Sequence, residues 1–235
     1  MATLVTSAIR HNSAASNNVV LDSNGRVGIG TATPAARLDV SGGGIIGGEL
    51  FTNSTADALE LYAGTAWNTG GAAISIRGTT TGFNNHGMEF YAGGNERMRI
   101  DSSGRVTKPL QPMFYARGAE TNYTLTNGAD MPFNNAVFNI GSHFNASTFR
   151  FTAPVAGYYF IAFHLFVQTV TNRVSLKVNN NAFHNNQMQV SPGTNSWAGV
   201  ISLAANDFVS VGDWQSTSGA MFYMGHCTFS GYLLG

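Results

Sequence analysis

Residues 157–167 read GYYFIAFHLFV, and this run restricts the fold more than any other in the chain. In an extended strand, successive side chains point to opposite faces. One face then carries Tyr158, Phe160, Ala162, His164 and Phe166, and the other Tyr159, Ile161, Phe163, Leu165 and Val167. Both faces are apolar, whereas an antiparallel sheet with one wet side alternates apolar and polar residues. A strand of this kind lies against a sandwich core on one side and under a cover on the other. No stretch of the chain shows sustained helical periodicity, so no helix is expected as the cover and a partner subunit takes that place. The expected subunit interface is the face with Tyr159, Ile161, Phe163 and Leu165.

Elsewhere, short apolar or alternating segments are separated by Gly and Asn, which is the pattern of an almost entirely β chain. Two phrases recur. LDSNGRV (21–27) and IDSSGRV (100–106) each set Asp-Ser-x-Gly between an aliphatic residue and Arg-Val. Asp and Ser hydrogen-bond their own backbone and Gly supplies positive φ, so each copy is predicted to be a hairpin tip. LELYAG (59–64) and MEFYAG (88–93) match as well. Such units hold too few apolar residues to bury their own faces, so they need neighbours along the chain or in other chains. The texture changes near TKPLQPMF, where Pro109 and Pro112 are expected to form a stiff extended link over 109–112. The predicted organisation is a repetitive β-rich stalk over 1–108 and a second β domain over 113–235, which holds most of the aromatic residues.

Composition narrows the function. Only 10% of residues are charged, against about 25% in an ordinary soluble domain, and the net charge is zero. Neither nucleic acid nor an anionic membrane surface is an expected partner. The longest apolar run, 155–167, is too short to span a bilayer, so no membrane insertion is expected. The start of the chain shows no secretory signal pattern. A single cysteine, Cys227, permits no intrachain disulfide and is expected to be a buried structural thiol. The six histidines lack ligand spacing, the carboxylates form no evident pair, and GGGIIGG (42–48) is followed by neither Lys nor helix. No metal, cofactor or catalytic residue is predicted.

Two resemblances join these readings. NVVLDSNGRVGIGTATPAARLDVSG (18–42) and MEFYAGGNERMRIDSSGRV (88–106) resemble the repeated segments of bacteriophage tail fibres. Residues 113–235 resemble the trimeric jelly-roll heads of the complement C1q and tumour-necrosis-factor superfamily, through FRFTAPVAGYYFIAFHLFV (149–167), RVSLKVNNNAF (173–183), VISLAANDFVSVGD (200–213) and FSGYLL (229–234). At Asn206-Asp207 that family usually has Gly-Asp; Asn also tolerates positive φ, so the turn is expected to survive. Together the resemblances imply an all-β homotrimeric fibre with a slender stalk and a C1q-like jelly-roll head. They imply a virion protein of the phage tail, made in the host cytoplasm, that contacts other tail or baseplate proteins. Its function would be non-enzymatic adhesion to a host cell-surface glycan or protein. The alternatives are a structural trimerisation protein without receptor binding of its own and, less favoured, a glycan-degrading tailspike.

In the resembled jelly roll the chain ends lie at the base, which leaves three loops at the tip: QTVTN (168–172), SPGTNS (191–196) and DWQSTSGA (213–220). They are polar and nearly uncharged. The candidate receptor-binding residues are Gln168, Thr171, Asn172, Thr194, Asn195, Trp214, Gln215 and Ser216. An aromatic ring beside amides and hydroxyls can stack on a sugar while its neighbours hydrogen-bond the ring substituents. Packing between subunits is the other role open to Trp214.

Overall fold

A computed structural model of the chain describes residues 8–9, 19–41, 58–63, 71–77, 87–213 and 219–235. The segment GGGIIGG and residues Trp214, Gln215 and Ser216 lie outside the described residues. The chain forms two compact units, residues 1–54 and 55–235.

In the first unit, β1 (Ala8–Ile9), β2 (Val19–Leu21), β3 (Val27–Ile29) and β4 (Leu38–Val40) make one sheet in chain order. The second unit begins with an antiparallel meander: β5 (Ala58–Ala63), β6 (Ala72–Arg77), β7 (Gly87–Ala92), β8 (Asn95–Ile100) and β9 (Val106–Thr107). The two Asp-Ser-x-Gly phrases form the β2–β3 and β8–β9 hairpin tips, as their turn chemistry requires. The Asp22 Oδ1 atom accepts the N–H groups of Asn24 and Arg26 at 2.9 and 2.8 Å. Asp101 Oδ1 accepts those of Ser103 and Arg105 at 2.9 and 3.0 Å. Gly25 and Gly104 close the turns at φ +74° and +78°.

Prolines 109 and 112 do not make an extended link. Pro109 occupies the second position of a β-turn, closed by the Gln111 N–H donating to the Lys108 carbonyl at 3.1 Å. Pro pre-sets the φ that this position needs. The Gln111 side-chain amide then donates to the Leu233 carbonyl, and the Leu233 N–H donates to the Pro112 carbonyl at 3.0 Å. The segment is thus bent and pinned to the last strand.

Residues 113–235 form a two-sheet sandwich. The first sheet contains β10 (Met113–Arg117), β11 (Asn122–Thr124), β12 (Asn135–Ile140), β15 (Gly157–Val167), β18 (Gly193–Leu203), β20 (Met221–Tyr223) and β21 (Thr228–Leu233). Its order is β11-β20-β15-β21-β10-β12, with β18 on the other edge of β15. The second sheet has the order β13-β14-β19-β16-β17, from β13 (Phe144–Asn145), β14 (Arg150–Thr152), β16 (Asn172–Val178), β17 (Asn181–Val190) and β19 (Phe208–Asp213). Aromatic rings fill the space between them. Phe114 stacks on Phe144 and Phe151 at 4.9 and 4.8 Å between centroids and meets Phe229 edge-on at 4.9 Å.

The β18–β19 turn keeps its geometry with asparagine: Asn206 sits at φ +71°. The Asp207 carboxylate accepts the Asn179 amide at 2.7 Å and the Ala204 N–H at 2.8 Å. The Asn179 bond, and then that backbone N–H, hold the Asp207 carboxyl below the usual carboxylate range. A lowered pKa in the folded state contributes stability that is present above the unfolded value, near pH 3.9, and is lost as pH falls through the folded value. Asp207→Ala is therefore expected to lose stability at neutral pH and to show a shallower fall in Tm below pH 4 than the native chain. Thermal melts across pH 2 to 7 check this; parallel acid limbs for both proteins would contradict it.

A polar cluster is buried where the 128–131 segment runs alongside β19. Asp130 bridges Gly212, and the Met131 N–H donates to the Val211 carbonyl at 2.7 Å. The Lys177 ammonium reaches over β19 to Asp130 Oδ1 at 2.5 Å and to the Gly128 carbonyl at 3.0 Å. Ser210 donates to the same carboxylate oxygen at 3.0 Å, and Arg150 approaches Oδ2 at 3.4 Å. Gly212 makes room for this crossing. A Cβ there would lie 2.2 Å from the Ala129 carbonyl oxygen and 2.9 Å from the Lys177 nitrogen.

Candidate interaction surface

Burial separates the two faces of β15. Tyr159, Ile161, Phe163 and Leu165 are all essentially inaccessible and belong to the sandwich core. Phe151 packs edge-on against Tyr159, and Trp197 stacks on Phe163 at 5.6 Å. The expectation that these four form a subunit interface is therefore corrected: the second sheet of the same chain already covers them. The Tyr159 hydroxyl is satisfied locally by donating to the Val155 carbonyl at 2.8 Å.

The opposite face is the more exposed one. Tyr158 is 61% exposed and Val200, across on β18, is 57% exposed. The strand register builds rows across the sheet. Met113, Tyr232, Phe160 and Val200 make an apolar row, with Phe160 and Tyr232 in ring contact at 5.3 Å. In the next row Ser230, Ala162 and Ala198 are small, and Tyr115 and Phe138 stack beyond them at 5.8 Å. In the third, Arg117, Thr228, His164 and Ser196 are polar, and His164 Nδ1 lies 2.8 Å from the Ser196 hydroxyl. The small row is the floor of an open trough of about 420 Å³, with His164 and Ser196 on its wall.

The described strand ends that flank the three proposed tip loops lie at one end of the sandwich. Val167 pairs with both Gly193 and Phe222, the Gln168 N–H donates to the Met221 carbonyl at 2.8 Å, and Asn172 pairs with Val190. Gln168, Thr171 and Thr194 are exposed there. Two other candidates face differently. Asn172 is 4% exposed, and its Oδ1 accepts the Arg173 N–H at 2.6 Å. Asn195 uses its amide to close its own turn, donating to the Ser191 carbonyl at 2.8 Å and the Gly193 carbonyl at 3.1 Å. Neither is presented to a ligand in this arrangement. At Asn195 the loop itself consumes the amide chemistry that the sequence showed, whereas the Asn172 amide nitrogen is buried without a hydrogen-bond partner.

Cys227 is fully buried; its Sγ accepts the Phe166 N–H at 3.3 Å and donates to the Tyr223 carbonyl at 3.4 Å. Burial pushes its thiol up to about 11, so it is un-ionised at neutral pH. Among the described residues no group of three or more His, Cys, Asp or Glu side chains is placed to hold a metal ion.

The C1q domain family matches residues 113–234. No curated protein sequence matches the chain. Among solved structures, the globular domain of zebrafish complement 1qA is 19% identical, over 53% of this chain and 98% of that one, with a TM-score of 0.42. Eiger TNF from S. frugiperda is 12% identical over 55% and 94% of the two chains, with a TM-score of 0.39. Rabbit GITRL is 11% identical over 53% and 94%, also at 0.39. The family match spans just over half of the sequence, and on that ground the chain belongs to the C1q domain family.

Proposed function

We propose that this protein is a non-enzymatic homotrimeric adhesin, the receptor-binding part of a bacteriophage tail fibre, carried on the virion. The observation that carries the proposal is the bare outward face of β15 and its neighbours. Tyr158, Phe160, Val200 and Tyr232 form an apolar surface on a sheet whose other face is already filled. A sheet face of this kind is stable in water when another subunit covers it. The repeated hairpin phrases support the fibre, and the exposed Gln168, Thr171 and Thr194 support a polar, uncharged binding tip. A host cell-surface glycan suits that tip, because sugars are held by hydroxyl and amide hydrogen bonds together with stacking.

Light scattering tests the assembly: the mass should be three times the 24.9 kDa of one chain. Adsorption of purified trimers to cells of candidate hosts tests adhesion. Trp214→Ala is expected to weaken binding at a single tip by about 1–3 kcal/mol, the scale of burying a large apolar side chain. On a cell surface, where three tips act together, the loss in avidity should be larger. Undiminished adsorption by a trimer with unchanged Tm would remove the tip from the proposal.

A further inference from the structure

We infer that the outer apolar face of the β6–β9 meander is an interface that turns toward the three-fold axis and meets the same faces of the other two copies of this chain. The inference rests on the trimeric reading above. The register places Ile76, Met88, Ile100 and Val106 in one row across four strands. Ile74, Phe90 and Met98 make the adjacent row. None of these side chains belongs to the sandwich core, and Ile76, Met88 and Val106 are 41%, 37% and 58% exposed. The other face of the meander is polar yet more buried. Ser75 and Glu89 are 2% and 3% exposed, Glu89 pairs with Arg99 at 3.2 Å, and the Tyr91 hydroxyl donates to Glu89 at 2.8 Å. Ile74, Phe90, Met98 and Ile100 are half-buried, so the sheet leaves its apolar face the more exposed of the two.

Size and charge select the occupant. At about 4.8 Å between strands and about 3.3 Å per residue, two rows over four strands cover only some hundreds of Å². A stable interface with a free partner takes about 800 Å² from each side. The patch is therefore too small to recruit an unconnected protein. A copy of the same sheet needs no such recruitment. The Pro109 turn ties the meander directly to β10, so a trimeric sandwich holds three meanders at an effective concentration in the millimolar range. No charged side chain lies in either row, so like faces meet without repulsion.

The methionines supply a test on the native full-length chain. Thioether oxidation follows exposure, and Met88 and Met98 lie in the two rows. Peroxide oxidation, followed peptide by peptide, is expected to be several-fold slower at both in the trimer than in the Phe160→Asp chain. Phe90→Asp should keep the three-chain mass and lose the protection. Ile76→Cys with a short bis-maleimide should link chains within one trimer at a rate independent of protein concentration. A monomeric native chain overturns the trimeric reading and this inference with it. A native trimer with Met88 and Met98 oxidised as fast as in the monomer overturns this inference alone. So do cross-links that form only between trimers, with a rate that rises with concentration.

Discussion

Phe160→Asp is expected to convert a trimer into a folded monomer. Phe160 points away from the core, in contact with Tyr232, so an aspartate there is solvated as long as the chain stands alone. In a trimer closed over this face the same carboxylate loses its water without gaining a cation, at a cost of several kcal/mol, and the cost recurs in every subunit. Light scattering at micromolar concentration should show one chain in place of three, and the thermal transition should remain cooperative. Phe163→Asp, three residues along the same strand, is expected to behave oppositely. Phe163 is 2% exposed in the sandwich interior, so its replacement should abolish folding. A Phe160→Asp protein that still has the mass of a trimer would place the interface on another surface.

Asp130→Ala is expected to be the most destabilising polar substitution in the sandwich. It leaves the Lys177 ammonium, 6% exposed, without its anion at 2.5 Å and leaves Ser210 without its acceptor. Removing one partner of a buried ion pair costs about 3–5 kcal/mol, because the remaining charge is stranded. Replacing both, as Asp130→Ala with Lys177→Met, should recover most of that loss. Urea unfolding of the two single variants and the double one measures the coupling directly. Additive effects of the two substitutions would mean that Lys177 is held by the Gly128 and Ala129 carbonyls and not by Asp130.

How much of this was legible in the sequence depended on how local the determinant was. The hairpin tips were readable because Asp22 and Asp101 bind N–H groups two and four residues away, and the glycines mark the turn. The Asn206 turn was readable for the same reason. The strand 157–167 could be recognised as apolar on both faces, but not which face met its own chain. That choice depends on where Val174, Leu176, Val209 and Val211 pack, and they come from strands that join β15 only through the fold. The Asp130–Lys177 pair, 47 residues apart in sequence, left no local trace. The prolines by themselves left the path of the chain open. Two prolines can stiffen an extended segment or pre-set a turn, and here the Lys108–Gln111 hydrogen bond decides for the turn.

The pinning of that turn has a consequence for how such chains can be recombined. Met113 pairs with Tyr232, and Pro112 accepts the Leu233 N–H, so the sandwich is entered and finished at adjacent points on one end. The loops after β15 and β17 lie at the opposite end, beyond Val167 and Val190. A junction at residues 108–112 therefore exchanges the whole sandwich without cutting a strand or disturbing those loops. Homologous chains spliced there would be expected to inherit the sandwich and its end loops from one donor and the preceding strands from the other, two parts that selection could then change separately.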